Sequence, residues 1–175
     1  RVYGDRVVAV TYSKLDGRHL LESWIRLLAL IARHPGRDWA AVCIGRPKRS
    51  GPPKERLLGP PRMPAAEVLG DLVAIYDAGR REPIPLPLKT SYVWAETRKS
   101  RGYPEKQAGF KWNSGKFPGE NEEPAHQRVW GRSKLDVLLE PVRAGEEYDG
   151  EPTRLGAYAA RLWLPMLQAE KDAHG

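Results

Sequence analysis

Cysteine is almost missing from this chain: Cys43 is its one thiol among 175 residues. A single thiol builds neither a disulfide nor a cysteine-rich zinc site. Cys43 lies inside an apolar run, so it reads as a core residue of a protein kept in a reducing, cytoplasmic compartment. Long apolar runs are missing too. None approaches the roughly 18 residues of a membrane span, and the amino end has no basic-then-apolar leader, so the chain reads as neither spanning nor exported. The glycines are scattered and form no phosphate-cradling loop, which leaves ATP binding to other chains. No elbow sequence surrounds a serine, which removes the case for a hydrolase triad. Acidic charge is in deficit, with 22 Asp and Glu against 29 Lys and Arg and a formal net charge of +7. That balance favours an acidic partner such as nucleic acid, although a basic surface that only keeps the chain soluble accounts for the excess equally well.

What is present suits one domain, since 41% apolar residues in this length are enough for a core. Arg1 leads almost at once into a β-rich stretch at 6–12, which reads as a strand in a segment of something longer. Asp16 offers a cap, and Leu20, Trp24, Leu27, Leu28 and Ile31 recur at helical spacing until His34, Pro35 and Gly36 end the pattern. Leu21, Ile25 and Leu30 widen the apolar face and predict a helix buried on two sides. The run 39–44, closed by Gly45, predicts a strand covered on both faces, and strand, helix, strand at this spacing predicts a parallel crossover.

Residues 46–64 are rich in Arg, Lys, Pro and Gly and read as loop. An amphipathic helix follows from Pro64 to Gly79, with Ala66, Leu69, Leu72, Val73 and Tyr76 as its apolar face. Pro83, Pro85 and Pro87 alternate with Ile84, Leu86 and Leu88, which demands an extended wall outside any central strand. Ser91 reads as the cap of a short helix, with a second helix from Pro104 to Trp112. Residues 115–123 read as irregular, and 135–139 as a short helix. Last comes an amphipathic helix through Leu155, Tyr158, Ala159, Leu162 and Met166, in which Pro165 is expected to kink the axis or start a new turn.

Three stretches together carry a resemblance. They are Leu20-Leu21-Glu22-Ser23-Trp24-Ile25-Arg26-Leu27-Leu28, then Glu82-Pro83-Ile84-Pro85-Leu86-Pro87-Leu88-Lys89-Thr90-Ser91, then Phe117-Pro118-Gly119-Glu120-Asn121-Glu122-Glu123-Pro124-Ala125-His126-Gln127-Arg128-Val129-Trp130-Gly131. In that order and spacing, over about 3–167, the chain resembles the C-terminal region of the RecC family, the gamma chain of exodeoxyribonuclease V, in its high-GC Gram-positive form. The resemblance implies a C-terminal fragment, 1–175, of a longer chain. It further implies a mixed α/β fold with a restriction-endonuclease-like core, a small mixed sheet flanked by helices and a helix-rich C-terminal half. The implied setting is double-strand break repair by recombination, with RecB and RecD as partners and a DNA duplex end or fork as the nucleic acid.

Active nucleases of that fold need two carboxylates for Mg²⁺ and a Lys for the attacking water. Thr11 and Ser13 stand where the strand end would carry charge, Lys14 has Tyr12 rather than an acid two places earlier, and Asp5 is isolated. The expectation is a nuclease fold with no catalytic residue, no metal site and no cofactor. The alternatives are an active nuclease of the same fold or a purely protein-binding adaptor. His126 stands near Glu120, Glu122 and Glu123, which reads as an acidic, solvent-exposed loop rather than a metal site.

Two basic regions are candidates for nucleic-acid or partner contact. One holds Arg46, Lys48, Arg49, Lys54, Arg56 and Arg62 against the single acid Glu55. The other holds Arg98, Lys99, Arg101, Lys106, Lys111 and Lys116, with Tyr103, Phe110 and Trp112 interleaved. Cations neutralise phosphates and aromatic faces stack on unpaired bases, so the second region suits a single strand or fork. The competing reading gives the aromatics to the core and the charges to a solvated face or a neighbouring subunit.

Overall fold

The computed structural model describes residues 1–47, 50–115 and 117–171. Its elements run β1 (Val2–Tyr3), β2 (Arg6–Val10), α1 (Gly17–Arg33), β3 (Ala40–Gly45), β4 (Lys54–Leu58), α2 (Ala65–Arg81), α3 (Leu88–Lys99), α4 (Pro104–Trp112), α5 (Pro124–Trp130), α6 (Arg154–Ala169) and β5 (Glu170–Lys171). Short 3₁₀ turns at Glu120–Glu122 and Leu135–Leu138 complete the described regular structure. The fold class is mixed α/β, with a five-stranded sheet and six helices among the described residues. Two compact units divide it, one made of 1–72 with 165–175 and the other of 73–164, so the boundaries fall inside α2 and α6.

The first unit holds the sheet, in the order β1-β2-β3-β4-β5. Only β2 and β3 pair parallel, with Val7 opposite Ala41 and Val10 opposite Ile44, and α1 is the crossover between them. Asp16 starts that helix, its carboxylate accepting from the His19 N–H at 3.2 Å. Leu20, Trp24, Leu27 and Leu28 recur every three or four residues, are wholly buried, and join Val7, Ala41 and Cys43 as the core of this unit. Ile25 is exposed and Leu21 and Leu30 are half-buried, so α1 is buried on one side and not two. The sheet covers one face of the helix.

The basic, proline-rich stretch contains a strand that local composition hides. β4 pairs antiparallel with β3, Cys43 opposite Arg56, and with β5, Leu58 opposite Glu170. Its ladder to β5 comes from residues distant in sequence, which overrides a weak local preference. The buried residues of α2 are Ala65, Val68 and Ile75, whereas Ala66, Val73 and Tyr76 are exposed, so the true inner face is rotated from the expected stripe.

The second unit packs α3 against α4, with Trp94, Ala95, Ala108, Trp112, Leu138 and Trp163 in its core. In the proline-rich stretch Pro85 and Pro87 are buried, Pro83 is exposed, and Ile84 and Leu86 are half-covered. Pro87, extended at φ −62° and ψ 133°, opens α3, so Ser91 lies inside the helix and its hydroxyl accepts from the Trp163 indole N–H at 2.9 Å. α6 runs through Pro165 to Ala169 as one element, although Pro165 lacks the N–H that would donate to the Arg161 carbonyl.

Candidate nucleic-acid and partner surface

At the carboxyl end of β2 the chain turns through 11–15, and Val10 stays 73% exposed there. Thr11 donates its N–H to Ile44 O at 2.9 Å and accepts at its hydroxyl from the Ser13 N–H at 3.1 Å, while Ser13 O accepts from the Arg46 N–H at 3.0 Å. Gly45 closes β3 and must be glycine, because a Cβ there would meet Leu15 at 2.7 Å and Ser13 O at 2.9 Å. The loop 11–15 therefore lies against the end of β3. Tyr12 points fully into solvent. Asp5 sits beyond the opposite end of β2, about 20 Å from Thr11 by strand rise, and its carboxylate is held by the Arg37 guanidinium, which also stacks 4.5 Å from the Trp39 ring. Asp5 is thus a brace between two loops of this unit.

Glu120, Glu123 and His126 bring ligand atoms within 4.8 Å of one another, but each side chain is already engaged. Glu120 is buried, against the expectation of an exposed acidic loop, and its two oxygens accept from the Lys89 N–H at 2.9 Å, the Thr90 N–H at 2.7 Å and the Thr90 hydroxyl at 2.7 Å. It caps α3, whose own cap residue Pro87 has no side chain able to accept. The Lys89 ammonium donates to Glu123 at 2.5 Å, and His126 Nδ1 donates to Glu120 O at 2.7 Å with its ring tilted over Trp112 and Trp130. Gly119 makes the turn possible by close approach, since a Cβ there would collide with Trp112 O.

The basic regions divide on inspection. Arg56 is half-buried and locked to Glu170 across β4 and β5, so its fork is engaged inside the sheet. Arg46 and Arg62 are exposed, as is Lys54 on β4, while Lys48 and Arg49 lie outside the described residues. In the second region Arg98 donates to Asp149 at 2.8 Å and pairs with Glu151, whose carboxyl burial pushes above the usual carboxylate range despite that arginine. Trp112 is 0% exposed and donates its indole N–H to Ser133 O at 3.0 Å, so it anchors α4 rather than offering a stacking face. Lys99, Arg101, Lys106 and Lys111 are exposed, and Lys116 lies outside the described residues.

Tyr103 and Phe110 do stand in solvent, joined by Phe117 and Lys134, neither of which the sequence singles out as a candidate. A shallow cavity of about 390 Å³ lies beside them, lined by Lys106, Gly109, Phe110, Asn113, Lys134 and Leu135. Lys134 reaches it only because the chain returns past α4, a neighbourhood no local pattern reveals. The other cavity, of about 480 Å³, lies along β2 and α1 and includes Thr11, His19, Ser23 and Cys43. Burial pushes the Cys43 thiol up from its ordinary value, which makes it a poor nucleophile. No helix among the described residues is long and apolar enough to cross a membrane.

Fold and surface together define a mixed α/β module whose second strand ends in uncharged residues and whose exposed cations gather around α4. The chain belongs to the RecC C-terminal domain family, whose model matches residues 1–99. It is 62% identical over 171 residues to the RecBCD enzyme subunit RecC of Mycolicibacterium smegmatis, and 54% identical over 171 residues to that of Mycobacterium tuberculosis. Each match covers 97% of this chain and 16% of the relative, so the chain spans about one sixth of the length of the curated relatives it matches.

Proposed function

We propose that residues 1–175 form a non-catalytic, restriction-endonuclease-like module of a cytoplasmic RecC-type subunit. Its role is to help hold RecB- and RecD-type chains together and to guide DNA at a duplex end or fork during double-strand break repair. The observation that carries this reading is the uncharged end of β2: Thr11 and Ser13 supply no carboxylate there, and Asp5 is paired with Arg37 at the far end. Two-carboxylate metal chemistry has no purchase on such a site. The purified protein with Mg²⁺ or Mn²⁺ is expected to leave linear duplex and single-stranded DNA intact. Metal-dependent cleavage that vanishes in an Asp5→Ala variant would overturn the reading in favour of an active nuclease. A protein-only adaptor gains support from Arg56 and Arg98, whose forks already face carboxylates of this chain. It wins if Lys106→Ala with Lys111→Ala abolishes partner binding and leaves DNA affinity and its salt dependence untouched.

A further inference from the structure

We propose that the outward face of α4 is a stacking platform for one unpaired nucleic-acid strand, with its phosphates held by the lysines beside it; this rests on the DNA-guiding reading and names the strand it guides. Lys106 and Phe110 lie one turn apart on α4, and Tyr103, the extended residue that opens the helix, stands three residues before Lys106. The opposite face, Ala108 and Trp112, is wholly buried and fixes the helix. Single exposed aromatics are ordinary, but here Tyr103 is 82%, Phe110 57% and Phe117 77% exposed around one short helix. Phe117 is placed there by Ser114, whose hydroxyl accepts its N–H at 3.0 Å and donates to its carbonyl at 2.8 Å.

Between Phe110 and Lys134 lies the cavity described above, its floor kept low by Gly109. Among the described residues no carboxylate pairs with Arg101, Lys106, Lys111 or Lys134. An apolar protein partner would bury those cations at a cost, whereas a polyanion neutralises them. Duplex bases present no free faces to Tyr103 and Phe110, so the rings favour an unpaired strand.

The test is fluorescence anisotropy of an oligo(dT) of about 16 nucleotides, a hairpin duplex and a forked DNA with the whole chain. The wild type should prefer oligo(dT) to duplex. Tyr103→Ala combined with Phe110→Ala should weaken oligo(dT) binding roughly ten-fold or more while keeping its salt slope. Phe110→Trp should retain binding. Lys106→Ala with Lys134→Ala should instead flatten the slope by about 0.7 for each phosphate left without its cation. All four positions are exposed, so each variant should melt with the wild type. Unchanged oligo(dT) affinity in the doubly aromatic variant overturns the platform, and continued fork binding by the wild type then leaves the wider reading standing. Absence of binding to any of the three DNAs overturns both.

Discussion

Trp24 shows what a single position can disclose. Its spacing with Leu20, Leu27 and Leu28 puts it on the inner face of α1, and it is 0% exposed. Trp24→Ala should cost about 3–5 kcal/mol in urea unfolding, from lost burial and the cavity left behind. Its indole N–H has no partner among the described groups. Trp24→Phe, which removes that unpaired donor while keeping a ring, should therefore cost clearly less than the alanine variant. Trp112 misleads for an equally physical reason: α4 carries one aromatic, Trp112, on its buried face with Ala108 and another, Phe110, on its exposed face. Nothing local says which face meets the core.

Arg154 is invisible as a site in the sequence because its partners are scattered through the second unit. It is almost wholly buried and donates to Glu146 at 2.6 Å and Glu82 at 3.1 Å. The Arg154 hydrogen bond holds the Glu146 carboxyl below its ordinary range. A depressed folded value means the ionised carboxylate stabilises the fold above the unfolded value, about 4.3, and that this stability is lost as pH falls through the folded one. Glu146→Gln should thus lower the urea midpoint at pH 7, and the gap from wild type should close as the medium is made more acid than about pH 4.

Among elements, α3 depends on an acceptor some thirty residues away. Pro87 fixes the entry angle but gives no side-chain oxygen, and Glu120 supplies both of its own to the first turn. Glu120→Ala should cost about 1–3 kcal/mol and speed amide exchange at Lys89 and Thr90, with exchange in the middle of α4 unchanged. A structural metal at Glu120, Glu123 and His126 would instead make wild-type stability sensitive to chelator.

Elements with strong local periodicity or clear boundaries, namely α1, β3 and α4, are legible because their own residues decide them. β1, β4 and β5 are not, being short or polar strands defined by their pairing. The inner face of α2 escapes the pattern because several apolar residues, Val73 and Tyr76 among them, stand in solvent and blur the stripe.

For the molecule as a whole, charge foretells more than it locates. The excess of seven is real, but Arg56 and Arg98 are neutralised internally, and Arg101, Lys106, Lys111 and Lys134 stay outward around α4. The uncharged end of β2 is legible in Thr11 and Ser13, whereas the close seat of Leu15 on Gly45 of β3 is a tertiary fact. The first unit is also interrupted, since all of 73–164 is inserted between β4 and the strand that completes its sheet. On a ribosome this order has a consequence. β4 emerges early, and its outer ladder and the Arg56 guanidinium wait for Glu170 while the entire second unit is being made. During that interval the nascent sheet has an open, cationic edge, and the arrival of β5 both closes it and neutralises it.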